Sequence, residues 1–276
     1  MARSAPPLTM KPMQKLRRLV LAAALLGAAA ATATATAETG APASLSMCVD
    51  ADDPPFSSAA TPERGIDVEV AQTLAQQLGR PLRLVWVEVP NRGGLGKALR
   101  QTLVAGLCDA YLGIPQGPDM ARELAERKLV ASGAYLTLGY LIVAAPGRAP
   151  PTMTALRRAR KIGAVTATPA DLYLHRKQLP RAPYAGSAAL LTALKAGEMD
   201  LALVWSPALA GEAGAGVVRG TDALDDADLY TGLTVATRGG DAELSKDLAA
   251  AVDTLRAEGR FDAIAQRHHL PRTAPP

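Results

Sequence analysis

Polar and aromatic residues that could bind a small molecule follow several predicted strands of this sequence. In open α/β sheets, ligands lie beyond the carboxyl ends of the strands. In the first half of the chain these positions hold Asp52, Asp53, Phe56, Asn91, Arg92, Gly113 and Asp119, and in the second half they hold Thr166, Thr168, Trp205 and Ser206. Carboxylates, an arginine, hydroxyls and an indole can together bind a polar solute. We therefore predict a ligand-binding cleft that these residues line.

Several of these residues have an equally simple structural interpretation. Asp52 and Asp53 precede Pro54-Pro55, where aspartates commonly form turns. Thr168 is the first residue of Thr-Pro-Ala-Asp, a sequence that is typical of a helix start. Its hydroxyl is therefore expected to cap the helix. The alternative is that the N-terminus of this helix binds an anion. Trp205 could pack in a core or cleft wall. The basic run at 157–161 is typical of a solvated face.

The sequence gives little support to catalysis. It contains no Gly-x-Ser-x-Gly, no metal-ligand spacing and no phosphate-binding glycine loop. His268 and His269 lie near the C-terminus, where we expect exposure. An enzyme would need a general acid or base in the cleft, and only Asp52, Asp53, Glu88 and Asp119 are candidates. We predict no catalytic residue, no metal and no cofactor.

A repeated segment indicates the elements that position the candidate residues. Residues 98–112 and 189–203 align without gaps, with paired leucines four apart, an Ala-Gly pair, an aspartate and an apolar run. Leucines at this spacing form one apolar stripe of a helix, glycine ends it, and the apolar run is typical of a buried strand. Chance similarity between two amphipathic helices is the alternative.

The order of the elements predicts an α/β fold with two lobes. Strands alternate with helices, which indicates mostly parallel sheets flanked by helices. Apolar, β-prone runs at 135–145 and 230–237 would be two crossover strands that act as a hinge. We place the first lobe at 38–143 and 234–276 and the second at 144–233, after the Pro/Gly-rich break at 145–151.

Residues 1–37 have the features of a secretory signal peptide. Basic residues precede an apolar run from Leu19 to Ala31, and small residues allow cleavage near Ala37. An uncleaved anchor is the alternative. These 37 residues hold five basic and no acidic residues, so the rest of the chain has 25 basic and 26 acidic residues. That balance argues against nucleic acid as a partner. We expect a periplasmic monomer.

The sequence contains two cysteines, Cys48 and Cys108, each beside a predicted strand. An even number of cysteines in an exported chain favours a disulfide. Two buried free thiols are the alternative. Two cysteines and three scattered histidines do not make a metal site.

The exported chain resembles the periplasmic solute-binding proteins of family 3, which include binders of polar amino acids. The similar segments are 45–56, Gly65-Ile-Asp-Val-Glu-Val70 and 105–109. Cys48, Cys108-Asp109, residues 113–120 and Val204-Trp-Ser-Pro207 are similar to one branch, whose members accompany quinoprotein alcohol dehydrogenases of the methanol type. The resemblance implies a two-lobed periplasmic-binding-protein fold and a non-enzymatic role, with a quinoprotein dehydrogenase or an ABC permease as partner.

One departure from the family pattern concerns the ligand. Amino-acid binders of the family usually carry Thr-x-x-Arg after the strand that corresponds to 110–114, and that arginine binds the ligand carboxylate. Here the segment reads Pro115-Gln-Gly-Pro-Asp119, and Arg122 does not match the spacing. We therefore expect an accessory protein of a dehydrogenase. The alternatives are an importer receptor for a small polar solute and a dehydratase-like enzyme on the same fold.

Overall fold

The computed structural model describes residues 43–62, 65–90 and 92–273, so the predicted signal peptide and Asn91 lie outside the described residues. The strands are β1 (Leu45–Asp50), β2 (Asp52–Asp53), β3 (Ser57–Ser58), β4 (Leu82–Val87), β5 (Ala110–Pro115), β6 (Leu129–Ala131), β7 (Leu136–Ala144), β8 (Ile162–Val165), β9 (Arg181–Tyr184), β10 (Leu201–Trp205), β11 (Val218–Arg219) and β12 (Tyr230–Arg238). The helices are α1 (Ile66–Gln77), α2 (Gly94–Gln101), α3 (Pro118–Glu126), α4 (Met153–Arg158), α5 (Pro169–Arg176), α6 (Ser187–Lys195), α7 (Ala242–Ala257) and α8 (Arg260–Arg267).

Two βαβαβ units of the same connectivity form most of the structure. The first unit runs β1-α1-β4-α2-β5, and its strands lie in the order β4-β1-β5, all parallel. The second unit runs β8-α5-β9-α6-β10, and its strands lie in the order β9-β8-β10, again all parallel. The alternation of strands and helices in the sequence therefore predicted the fold class correctly.

The repeated segments occupy the same place in both units. The paired leucines are fully buried at 0% exposure: Leu99, Leu103, Leu190 and Leu194. Gly106 and Gly197 follow with φ angles of 78° and 76°, a left-handed conformation that glycine adopts without strain. The aligned segments thus occupy equivalent places in the two units. The prediction that the glycine ends the helix holds for α6, which ends at Lys195, but is wrong for α2, which ends at Gln101, five residues before Gly106.

The aspartate of each repeat holds its unit together at the amino-terminal edge of the sheet. Asp109 Oδ2 accepts hydrogen bonds from the backbone N–H of Ser46 at 2.9 Å and from its hydroxyl at 2.6 Å. Asp200 Oδ2 accepts hydrogen bonds from the backbone N–H groups of Arg160 at 2.7 Å and Lys161 at 3.1 Å. In both units the carboxylate connects the turn before the third strand to the start of the first strand.

Two long antiparallel strands join the units. β12 pairs with β5 of the first unit, β7 pairs with β10 of the second, and β7 and β12 pair with each other. The sheet is therefore continuous through β7 and β12. The lobe boundaries at 143/144 and 233/234 remain a proposal, because they fall within the two strands that join the units.

The C-terminal helices pack beside the first unit. Val252 of α7 and Phe261 of α8 belong to the same buried cluster as Leu45 of β1 and Leu74 of α1. The prediction that His268 is exposed is wrong, because its Nε2 lies 2.7 Å from Glu69 Oε1 of α1 and only 20% of its side chain is exposed. None of the helices in the described ranges is long and apolar enough to cross a membrane.

Cys48 and Cys108 form a disulfide with a Cα–Cα distance of 5.8 Å. Cys48 lies in β1, and Cys108 lies in the turn that leads into β5. The bridge therefore fixes the same corner that the hydrogen bonds of Asp109 stabilise, and the alternative of two free thiols is excluded.

Candidate ligand cleft

The carboxyl end of β1 carries an acidic hairpin. β1 ends at Asp50, and Asp52 and Asp53 of β2 pair with Ser58 and Ser57 of β3. Asp50 Oδ1 accepts a hydrogen bond from the backbone N–H of Asp52 at 3.0 Å. The exposed side chains of Asp52 and Asp53 are available to a ligand at this end of the sheet.

Phe56, which the sequence places in the cleft, is 6% exposed and belongs to the core around β1 and α1. Its carbonyl accepts the backbone N–H of Asp67 at 2.9 Å. The hairpin turns the ring inward, so Phe56 fixes the base of the loop instead of contacting a ligand.

Desolvation and neighbouring charges perturb Asp53. Although its side chain is exposed, protein atoms surround enough of the carboxyl group that desolvation, together with the charges of Asp50 and Asp52, raises its pKa to about 6. The raised pKa indicates that no nearby cation stabilises the ionised form of this carboxyl group. It would gain from a positively charged ligand group.

Asp67 of α1 is a buried carboxyl group that the sequence analysis did not select. It is 4% exposed, and its Oδ1 accepts a hydrogen bond from the Tyr135 hydroxyl at 2.7 Å. The Tyr135 oxygen in turn accepts the backbone N–H of Gly113 at 3.0 Å. Burial is the main cause that raises the pKa of Asp67 to about 7, and the charges of Asp53 and Asp50 add to it, against the hydrogen bond from Tyr135.

Gly113 of β5 allows this buried carboxyl group to approach the sheet. Its φ is 74°, and a Cβ atom at this position would lie 3.0 Å from Asp67 Oδ2. The sequence placed Gly113 in the cleft. The structure shows that Gly113 also makes room for Asp67.

Tyr111 of β5 is the second residue that the sequence analysis did not select. It is 2% exposed, and its hydroxyl has no hydrogen-bond partner among the described residues. Burial and the nearby charges of Asp50, Asp53 and Asp67 raise the pKa of Tyr111. A buried hydroxyl therefore lies unpaired beside several carboxylates.

Arg122, the arginine that follows β5 in the chain, does not take the place of the arginine of amino-acid binders. Arg122 forms an ion pair with Asp119 at 2.5 Å, and both side chains are exposed on α3. Arg92 is exposed in the turn before α2. Asp119 lies in the first turn of α3, where its carboxylate pairs with Arg122 and interacts favourably with the positive end of the helix dipole.

In the second unit, the helix start that could have bound an anion is already occupied. Thr168 is the N-cap of α5, and its hydroxyl accepts the backbone N–H of Asp171, as the sequence predicted. Asp171 Oδ2 accepts the backbone N–H of Ala167 at 3.2 Å, and Asp171 Oδ1 pairs with Arg181 at 2.7 Å. The exposed Thr166 donates its hydroxyl proton to the carbonyl of Tyr184 at 3.2 Å. The structure therefore favours the capping interpretation of Thr168.

An apolar cavity of about 360 Å³ lies beside α5 in the second unit. Its wall includes Tyr140, Trp205 and Tyr230, and the rings of Tyr140 and Trp205 lie 5.0 Å apart. Trp205 also packs against the cores on both sides of the joining strands. Trp205 is therefore a wall residue of the cavity, close to where the two units meet.

Ser206, by contrast, is fully buried, and its hydroxyl accepts the backbone N–H of Gly139 at 3.3 Å. This places it against β7 and away from a ligand. Nowhere in the described part of the chain do three or more His, Cys, Asp or Glu residues form a group that could hold a metal ion.

The structure is similar to solved structures of known proteins, whereas no family model and no curated protein matches the sequence. The L-cystine solute receptor of Neisseria gonorrhoeae, unliganded and open, matches with a TM-score of 0.65 and 19% identity over 82% of this chain and 92% of that chain. The chain has the two-lobed fold of the solute-binding proteins.

Two further solved structures show the range of proteins with this fold. Substrate-binding domain 2 of GlnP from Lactococcus lactis, in an open conformation, matches with a TM-score of 0.64 and 17% identity over 81% of this chain and 94% of that chain. MxaJ from Methlophaga aminisulfidivorans matches with a TM-score of 0.58 and 20% identity over 83% of this chain and 99% of that chain. At these identities the matches show the fold.

Proposed function

We propose that this chain is a periplasmic, non-enzymatic protein of the solute-binding type that serves a quinoprotein alcohol dehydrogenase of the methanol type. The observation that carries the proposal is the arrangement at the end of β5. Where amino-acid binders of the family have a ligand-binding arginine, this chain has a turn into α3, and Arg122 is paired with Asp119. A buried carboxylate without an arginine partner would bind weakly.

The disulfide and the MxaJ match add support. Cys48 and Cys108 are part of the pattern that resembles the dehydrogenase-associated branch, and they are bridged. The match to MxaJ gives further, weak support. In this proposal the cleft binds a small ligand, and the chain acts by contact with the dehydrogenase during its maturation or function.

The alternative is the receptor of an ABC importer for a small polar solute. It is favoured by the matches to the L-cystine receptor and to GlnP, which have higher TM-scores than the match to MxaJ. The acidic hairpin and the cavity beside α5 suit a soluble receptor equally well.

Deletion of the gene and tagged co-purification from periplasm together decide between these roles. We expect the deletion to lower periplasmic dye-linked alcohol dehydrogenase activity and the tagged chain to restore it. We also expect the chain to recover the dehydrogenase, and periplasm from a strain without the dehydrogenase is the control. Normal dehydrogenase activity in the deletion strain, with recovery of permease subunits from detergent-solubilised membranes, would establish the importer role instead.

A further inference from the structure

We infer that the first-unit wall of the cleft is a subsite for one organic cation that carries N–H donors, an alkylammonium or guanidinium group, on a ligand without a carboxylate. The subsite consists of Asp50, Asp53 and Tyr111. This inference rests on the solute-binding part of the proposed function and names the class of ligand. It is independent of whether the partner is a dehydrogenase or a permease.

The sheet register brings the three residues together. Cys48 of β1 pairs with Tyr111 of β5, and Asp50 lies two residues beyond Cys48, so Asp50 and Tyr111 share one face of the sheet. Asp53 follows immediately in β2, whose hairpin begins at the end of β1. The negative charges of Asp50 and Asp53 both act on the Tyr111 hydroxyl.

The unpaired hydroxyl indicates a missing hydrogen-bond partner. Buried hydroxyl groups almost always have partners, because an unmade hydrogen bond costs free energy. The Tyr111 hydroxyl has none among the described residues, and its side chain is 2% exposed. An ammonium N–H between this oxygen and the carboxylates would donate to both kinds of acceptor.

The carboxylates of this wall also lack counter-charges. Asp50, Asp52, Asp53 and Asp67 form no ion pair with any described residue, whereas Asp171 of the second unit pairs with Arg181. Ionised carboxylates without a paired cation attract a positively charged ligand and repel a carboxylate.

The start of α5 offers a ligand carboxylate no free helix start in compensation. The start of α5 is occupied by its own Thr168 and Asp171, and the neighbouring cavity is lined mainly by apolar and aromatic side chains, with the carboxylate of Asp228 at its wall. This cavity suits an alkyl chain. Its aromatic rings add affinity for a cation as well.

Titration calorimetry at neutral pH tests the ligand class with three probes that share the same five-carbon chain between their terminal polar groups. Cadaverine carries ammonium groups, L-lysine adds a carboxylate, and 1,5-pentanediol is neutral. We expect cadaverine to bind, L-lysine to bind at least tenfold more weakly, and the diol not to bind. Agmatine, which carries a guanidinium group as well as an ammonium group, is the probe for a planar cation. Equal affinity for the diol or for L-lysine overturns the inference, and so does the absence of binding by both cadaverine and agmatine at millimolar concentration.

Two variants test the subsite. Tyr111→Phe removes a buried hydroxyl that has no partner, so its melting temperature should be unchanged or higher while cadaverine binds about three- to tenfold more weakly. Asp53→Asn should weaken binding about tenfold or more, because a charge-assisted hydrogen bond is lost. Asp253→Asn, an exposed carboxylate of α7, is the matched control and should not change affinity.

Unchanged affinity in both cleft variants would contradict the assignment. Proton release gives an independent readout, since a bound cation lowers the pKa of Asp53. At a pH near 6, binding should therefore release protons to the buffer, and the measured heat should differ between buffers of different ionisation enthalpy. The dehydrogenase co-purification is unaffected by these outcomes, so failure of the inference and failure of the proposed function are distinguishable.

Discussion

In the first unit a covalent bridge between Cys48 and Cys108 fixes β1 to the turn before β5, whereas the corresponding positions of the second unit hold Gly163 and Met199. The correspondence follows from the register. Cys48 pairs with Tyr111, Gly163 pairs with Ala202, and the repeat aligns Tyr111 with Ala202 and Cys108 with Met199.

The second unit fills this corner by packing. Met199 lies over Gly163 so closely that a Cβ atom on Gly163 would clash with the methionine sulfur and with Leu190. In the first unit this corner is stabilised by a disulfide, which restricts the unfolded chain, and in the second unit it is stabilised by close packing. The shared hydrogen bonds of Asp109 and Asp200 explain why either solution suffices.

The two units also differ in the carboxylate that lies in the first turn of α1 and of α5. Asp67 is buried with one hydrogen bond from Tyr135, and its pKa is raised to about 7. Asp171 pairs with Arg181 and with the N–H of Ala167; these interactions outweigh burial and lower its pKa. The first unit therefore buries this carboxyl group without a cation, whereas the second unit pairs the corresponding carboxylate with Arg181.

The largest effect is expected from removing the disulfide. The double substitution Cys48→Ala and Cys108→Ala should lower the free energy of unfolding by about 4 kcal/mol, because the loop that the bridge closes is long. Urea unfolding measures this loss. Wild type in the presence of a reductant is the control, and a loss below about 1 kcal/mol would mean that packing alone holds the first unit, as it does the second.

A second effect should appear as a pH dependence of stability. Because the pKa of Asp67 is higher in the folded state than in the unfolded chain, the folded state binds protons, and stability should rise as the pH falls from 8 to 5. With a folded pKa of about 7, Asp67 contributes roughly 2–3 kcal/mol over this range. Urea unfolding across this pH range measures the slope.

Asp67→Asn should flatten most of that slope and leave a smaller part due to Asp53. Asp171→Asn is the matched comparison in the second unit. Since the pKa of Asp171 is lowered, its stabilising effect is lost only as the pH falls through the acidic range, and the slope between pH 8 and 5 should stay as in wild type. Equal slopes in wild type and Asp67→Asn would contradict the difference between the units.

Gly163→Ala should destabilise the chain by about 2 kcal/mol, because the added methyl group has to displace Met199 and Leu190. The combined change Gly163→Ala with Met199→Ala makes room for the methyl group and should recover part of the loss. Thermal unfolding measures both variants. A stabilising effect of Gly163→Ala would show that this corner is not closely packed.

The smallest effect concerns the shared aspartates. Asp109→Asn and Asp200→Asn each retain an acceptor oxygen and should each cost about 1 kcal/mol, which is typical of weakening a charge-assisted hydrogen bond. Urea unfolding of both variants measures these costs. A cost several times larger at Asp200 than at Asp109 would show that the disulfide compensates for Asp109, because only the first unit has a covalent bond at this corner.

Much of this comparison could be predicted from the sequence. The repeat, the alternation of strands and helices, the Thr168 cap and the cysteine pair all depend on local patterns, and the structure confirms them. Such patterns predict the elements and the disulfide, because each pattern involves residues close together in the chain or the single pair of cysteines.

The cleft was less predictable, because it depends on which way individual side chains turn. Phe56 and Ser206 follow predicted strands, but the hairpin and the turn after β10 bury them. Asp67 and Tyr111 lie in segments that read as a helix start and an apolar strand. Only the register of β1 with β5 and the position of Gly113 bring them to the acidic wall.

The central claim, that a solute-receptor fold here lacks the carboxylate-binding arrangement of amino-acid receptors, is tested most directly by titration calorimetry with a panel of the common amino acids. We predict no dissociation constant at or below the micromolar range for any of them. Losing the charge-assisted partner of a desolvated carboxylate costs several kcal/mol, enough to weaken micromolar binding to millimolar. Micromolar or tighter binding of any one amino acid would contradict the claim and favour an ordinary transport receptor.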